Sequence, residues 1–137
     1  MALPASNAGR TTPRRQRHAL RVVRSFGYAA EGVATMVRTQ PNFCVHLLAA
    51  AVASSLGLAL RLSPAELALL VLTIALVLVA EMINTAVETV CDLVSPGHHP
   101  LVKRAKDVCA AAVLLAAFAA VMVAALLFAP RLLALAH

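Results

Sequence analysis

Three of the six acidic residues in this 137-residue chain fall in one stretch, Glu81-Met82-Ile83-Asn84-Thr85-Ala86-Val87-Glu88-Thr89-Val90-Cys91-Asp92. On an α-helix, Asn84, Glu88 and Asp92 stand at about −60°, −20° and +20° from Glu81, so all four make one polar stripe. The stripe continues an apolar segment, where a mid-membrane acidic side chain costs about 2.5–3.5 kcal/mol. A short way on, Arg104-Ala105-Lys106-Asp107 opens a further apolar run. Between them these residues offer carboxylates able to hold a divalent cation, a carboxylate able to accept a proton, and an ammonium able to meet phosphate oxygens. Phosphoryl transfer needs those parts, because its catalysis is mainly positioning and charge neutralisation. No Gly-x4-Gly-Lys-Ser/Thr loop is present, so nucleotide binding of the P-loop type is excluded. Two other readings stand beside this one. The stripe can be polar glue between packed helices, in a non-catalytic membrane oligomer, or it can line an ion- or proton-conducting path.

The elements that must position these groups are membrane helices. Apolar residues make up 61% of the chain and charged residues 13%, against about 25% charged in ordinary soluble domains. Trp is absent and aromatics are scarce, so the apolar content is chiefly Ala, Leu and Val. Three segments approach or exceed the roughly 20 residues a bilayer requires: about Phe43 to Leu60, Leu67 to Val90, and Val108 to Leu127 or slightly beyond. The first two are joined by a tight turn, in which Ser63-Pro64-Ala65-Glu66 has the form of a capping box with Pro at the first helical position. Ser95-Pro96-Gly97 stops the second helix.

Ahead of the first span, about His18 to Arg38, lies a helix of another kind. Val22, Val23, Phe26, Ala30, Val33 and Val37 share an arc of roughly 100°, while Arg17, Arg21, Arg24, Glu31 and Arg38 fall opposite. A basic amphipathic helix of this sort lies along a membrane surface. Residues 1–16, rich in Arg, Pro and Thr, form an expected disordered basic leader, and residues 17–137 a single membrane domain. Ten Lys and Arg residues precede the first span or occupy the second loop; Arg61 and Arg131 alone stand on the other side. The N-terminus and second loop are therefore expected in the cytoplasm and the C-terminus outside. The basic stretch lacks interleaved aromatics and runs into a membrane span, so nucleic acid is not an expected partner. The expected class is all-α, integral membrane: three transmembrane helices preceded by a cytoplasmic amphipathic surface helix.

Glu81-Met-Ile-Asn84-Thr-Ala-Val-Glu88, then Asp92, then His99-Pro-Leu-Val-Lys-Arg104-Ala-Lys106-Asp107, resembles the prokaryotic diacylglycerol kinase and undecaprenol kinase family, from about Ser25 through the third span. The resemblance implies a small bacterial inner- or plasma-membrane lipid kinase, a homotrimer with active sites shared between neighbours. It implies ATP as co-substrate, Mg2+ as cofactor and a lipid hydroxyl at the cytoplasmic face as acceptor. By position in the family pattern, Glu81 matches the general base, Asn84 a supporting residue, and Glu88 a metal and nucleotide ligand. Lys106 and Asp107 match the nucleotide-binding pair, and Arg21, Tyr28 and His99 match groups enclosing the nucleotide. Asp92-Leu93-Val94-Ser95-Pro96 and His46-Leu47-Leu48 look closer to the undecaprenol branch, with diacylglycerol the second choice.

The chain departs from that pattern at Gln40, where the family has a metal-binding Glu, and at Cys44, where it often has Arg. Gln40 offers an amide oxygen without charge, which implies weaker metal binding or lower activity. His98-His99 sits in a Pro-Gly loop with no Cys at ligand spacing, so a zinc site is not expected there. His46 is expected to pack, and Cys44, Cys91 and Cys109 to be plain thiols. Ala49, Ala53, Ala112 and Ala116 permit close helix approach.

Overall fold

A computed structural model describes residues 14–97 and 99–135, with side chains described from residue 21 onward. Residues 1–13 of the expected leader, His98, and the side chains of residues 14–20 lie outside that description. The fold is all-α among the described residues: α1 (Arg14–Thr39), α2 (Pro41–Ala59), α3 (Pro64–Val94) and α4 (Pro100–Leu135). The last three are long and apolar enough to cross a membrane. The chain divides into a helical part up to Thr35 and a larger part from Met36 onward.

In the first part, residues 21–33 are exposed on every face, Val22, Val23, Phe26 and Val33 among them. α1 is longer than expected, beginning at Arg14 rather than near His18.

In the larger part, α3 packs most extensively on α4 and less so on α2. Proline at the first position marks the start of α2, α3 and α4, and α3 has a side-chain cap as well. At Ser63 the capping box forms as anticipated. Glu66 N–H donates to Ser63 Oγ at 3.4 Å, and Ser63 N–H donates to Glu66 Oε2 at 2.8 Å. The same Oε2 accepts from Arg131 Nη2 at 2.7 Å, tying the end of α4 to the start of α3. Arg131 Nη1 also donates to Leu127 O at 2.9 Å, next to Pro130, which has no N–H to give its own turn. α4 runs to Leu135, past the expected end of the third span at Leu127 or slightly beyond.

The α2–α3 turn closes by hydrogen bonds from Leu62 N to Gly57 O (3.0 Å) and Arg61 N to Leu58 O (3.1 Å), a Schellman arrangement. Its left-handed position is Arg61, at φ 53°, where glycine is the usual occupant. Arg61→Gly is expected to stabilise the protein by about 1 kcal/mol. A thermal unfolding midpoint in detergent that fails to rise would contradict that. Gly57 itself permits close approach, since a Cβ there would stand 3.1 Å from both Leu62 Cδ1 and Leu70 Cδ2.

Leu62, Leu70, Leu127 and Phe128 form a small core beside this turn. Most other large apolar side chains of the three spans are exposed, because lipid is as good a solvent for them as another helix. Further along, α2, α3 and α4 border an apolar groove of about 360 Å³ that includes Ala49, Ala53, Ile74, Val77, Ala117 and Ala120. His46 lines it as a half-buried packing residue.

Candidate active site

The acidic stripe occupies the end of α3 away from the turn. Glu81 stands 17 residues past Pro64, about 26 Å along the helix axis at 1.5 Å per residue. That depth falls just short of a hydrocarbon core of about 30 Å, and Glu88 and Asp92 stand roughly 10 and 16 Å further on. Glu81 is 3% exposed, the sole buried charged side chain among the described residues. One turn on, Asn84 Nδ2 donates to Glu88 Oε1 at 3.1 Å. The pair is the i,i+4 contact that a helix makes available. It fixes the amide so that Asn84 Oδ1 is buried with no hydrogen-bond partner.

Asp92 and Lys106 join the two helices. Lys106 Nζ donates to Asp92 Oδ1 at 2.5 Å, across 14 residues of sequence. A second pair, Lys103 to Asp107 at 2.5 Å, lies on α4 alone and is exposed on both sides. His99 precedes Pro100 and accepts the Leu101 N–H at its Nδ1, 3.2 Å away. A neutral His99 ring therefore carries its proton on Nε2, leaving that nitrogen as a donor. Asp92, Ser95, Pro96, Gly97, His99, Val102, Lys103, Lys106 and Asp107 line one cavity of about 260 Å³. Two ammonium groups and an imidazole thus gather at one pocket, with carboxylates spacing them apart.

Of the residues expected to work together, His99, Lys106 and Asp107 share this cavity. Glu88 lies outside its lining but within electrostatic range of Lys106. Glu81 and Asn84 sit higher on the same stripe and are not part of the lining. Gln40 is the N-cap residue of α2 and makes no side-chain cap bond. It stands at the end of α2 that runs beside the acidic end of α3, because the two helices are antiparallel. Cys44 Sγ donates to Val37 O at 3.2 Å, and all three cysteines are free. Arg21 and Tyr28 lie on α1, both exposed, seven residues apart and hence on one helix face. Sequence reasoning passed over Lys103, although its i,i+4 spacing to Asp107 was a readable signal. The Asp92–Lys106 contact is one that no spacing rule encodes.

Among the described residues no cluster of three or more His, Cys, Asp or Glu is arranged to hold a metal. Magnesium does not require one, since it commonly takes one or two carboxylates together with water and substrate phosphates. Glu88 and the unpartnered Asn84 Oδ1 beside it are hard oxygen donors and fit that demand.

Three apolar helices, with a buried carboxylate and a charged pocket toward one end, define a small multi-pass membrane protein with a polar site at that end of its bundle. Residues 27–128 match the family model described as prokaryotic diacylglycerol kinase, and the chain belongs to that family of small membrane lipid kinases. It is 41% identical to the diacylglycerol kinase of Synechocystis sp., over 98% of this chain and 79% of that protein. It is 37% identical to the undecaprenol kinase of Bacillus subtilis, over 82% of this chain and 91% of that one. With the diacylglycerol kinase of Escherichia coli K12 the identity is 30%, over 74% and 84%. Membership in the family supports phosphotransferase activity on a lipid alcohol, with ATP and Mg2+.

Proposed function

We propose that this protein transfers the γ-phosphoryl group of ATP to the hydroxyl of a membrane lipid alcohol at the cytoplasmic face, as a homotrimer with shared active sites. The observation that carries this reading is the arrangement along α3. A buried Glu81 leads to the Asn84–Glu88 pair, and the next turn of the helix walls a cavity holding Lys106, His99 and Asp107. One end of the stripe is desolvated and the other is charged and open. A carboxylate with little access to water is poised as a base, while solvated ones suit a cation.

In this reading Glu81 accepts the hydroxyl proton as the lipid oxygen attacks the γ-phosphorus and ADP departs. Lys106 meets the phosphate charge, and His99 donates from Nε2. Asp107 completes the nucleotide-binding pair. Glu88 would hold Mg2+, with Asn84 Oδ1 and the uncharged Gln40 as weaker oxygen donors. The ion would neutralise and orient the ATP phosphates. Arg21 and Tyr28 carry nucleotide-enclosing roles by their position in the family pattern alone. The excess of Lys and Arg before the first span and in the second loop supports a cytoplasmic N-terminus and an outward C-terminus.

The acceptor lipid is proposed as undecaprenol first and diacylglycerol second, on the Asp92-to-Pro96 and His46-to-Leu48 segments. The relatives named above include a kinase of each kind. Full-length protein in mixed micelles, given labelled ATP, Mg2+ and either lipid, is expected to move label into one of them. Transfer to neither would overturn the proposal. Ion flux through protein-loaded vesicles without ATP turnover would favour the conducting alternative.

A further inference from the structure

Asp92 lies on the acidic stripe, yet no step above uses it. We propose that Asp92 is a positioning residue that holds the Lys106 ammonium in place at the α3–α4 cavity, aimed for the phosphates of the nucleotide. The proposal rests on the reading of Lys106 as a phosphate-binding group.

The contact differs from the other ion pair at this end of α3 and α4. Lys103–Asp107 joins residues one turn apart on α4, with side chains 62% and 61% exposed, the kind of pair that contributes little. Asp92–Lys106 crosses from the last turn of α3 to the second turn of α4, and the Lys106 side chain is only 32% exposed against 67% for Asp92. The cation is thus held against the protein by an anion that keeps its water. Lysine has a long stem with considerable rotamer freedom, and a ligand that must order it loses affinity in doing so. Anchoring the ammonium beforehand removes that cost. One carboxylate oxygen uses one of three ammonium donors, so two remain for phosphate oxygens. Glu88 is near enough to add attraction, but its Oε1 is engaged by Asn84. Asp92 therefore makes the direct contact. Both Asp92 and Lys106 line the same cavity, so the group being aimed and the group aiming it face the space that nucleotide would enter.

The test uses the full chain in mixed micelles and four variants: Asp92→Ala, Asp92→Glu, Lys106→Ala and the Asp92→Ala/Lys106→Ala double. Asp92→Ala is expected to raise the KM for ATP roughly tenfold, with kcat and the lipid KM within about twofold. Asp92→Glu should restore most of the loss. In the Lys106→Ala background, Asp92→Ala should add nothing, the signature of two residues acting as one unit. Binding of a Mg2+-loaded non-hydrolysable ATP analogue, read by displacement of a fluorescent nucleotide, should show the same pattern without chemistry. Additive effects, or a lipid KM that rises in step, would overturn the proposal by marking Asp92 as a general support of the fold. Tighter nucleotide binding in Asp92→Ala would overturn it too, with Asp92 then a competitor for the ammonium. If Lys106→Ala leaves nucleotide binding unchanged, the reading of Lys106 fails first and the proposal falls with it. If Lys106→Ala weakens binding and Asp92→Ala does not, only the positioning role falls.

Discussion

Glu81→Gln is expected to lower turnover by about 10²–10⁴-fold, the usual contribution of a positioned general base, with nucleotide affinity left within about twofold. A lipid hydroxyl is a very weak acid, so its oxygen attacks phosphorus well only as the proton leaves. Glutamine has nearly the same volume and keeps one acceptor oxygen, but it cannot take up that proton. The substitution also removes a charge from a residue that is 3% exposed, so the folded protein should be no less stable. Burying an ionised carboxylate is costly where burying an amide is less so. Single-turnover phosphorylation and nucleotide binding, measured on the same preparation, separate the two effects. Equal catalytic rates in variant and parent would remove Glu81 from the base role.

The second large effect is expected at Glu88. Glu88→Gln should shift the Mg2+ titration of activity upward by about 10–100-fold, at saturating lipid and fixed ATP. The change keeps an acceptor for Asn84 Nδ2, which Glu88 Oε1 now receives at 3.1 Å, so the helix surface should persist while the negative charge is lost. Divalent-cation sites of the magnesium kind rely on one or two carboxylates with substrate phosphates, and here Gln40 supplies none. Gln40→Glu is therefore expected to move the same titration the other way, toward lower Mg2+. If Glu88→Gln leaves the midpoint in place, Glu88 is not the ligand. If Gln40→Glu leaves it unchanged, the uncharged residue at that position carries no cost in metal binding.

Much of the arrangement was legible in the residues. The stripe from Glu81 to Asp92 follows from helical periodicity alone, and the structure carries α3 unbroken through Val94. Ser63 and Glu66 announced the capping box, and it forms. Ser95-Pro96-Gly97 announced the stop, and α3 ends there. These are local rules, in which a residue interacts with neighbours three or four positions away. A partner on another helix lies outside those rules. α4 runs to Leu135, past the expected third span, and beyond Pro130 its Arg131 pairs with Glu66 of α3, a contact that does not follow from local spacing. Arg61 at φ 53° was likewise unforeseen, since the turn's close hydrogen bonds, and not the residue's own preference, impose that geometry.

Three apolar helices, a preceding amphipathic one, and the order of polar groups along α3 all follow from residue order. Hydropathy, helical period and capping act within a segment, and a bilayer leaves a segment of that composition little choice but a helix. Which groups meet is set by the packing of the helices. It brought Asp92 to Lys106, gathered His99 and Asp107 at the same cavity, and left Glu81 buried one turn behind the Asn84–Glu88 pair. Those outcomes depend on how α4 is set against α3. Helix packing in lipid is governed by shape and by a few polar contacts, and neither is written in the period of a single helix.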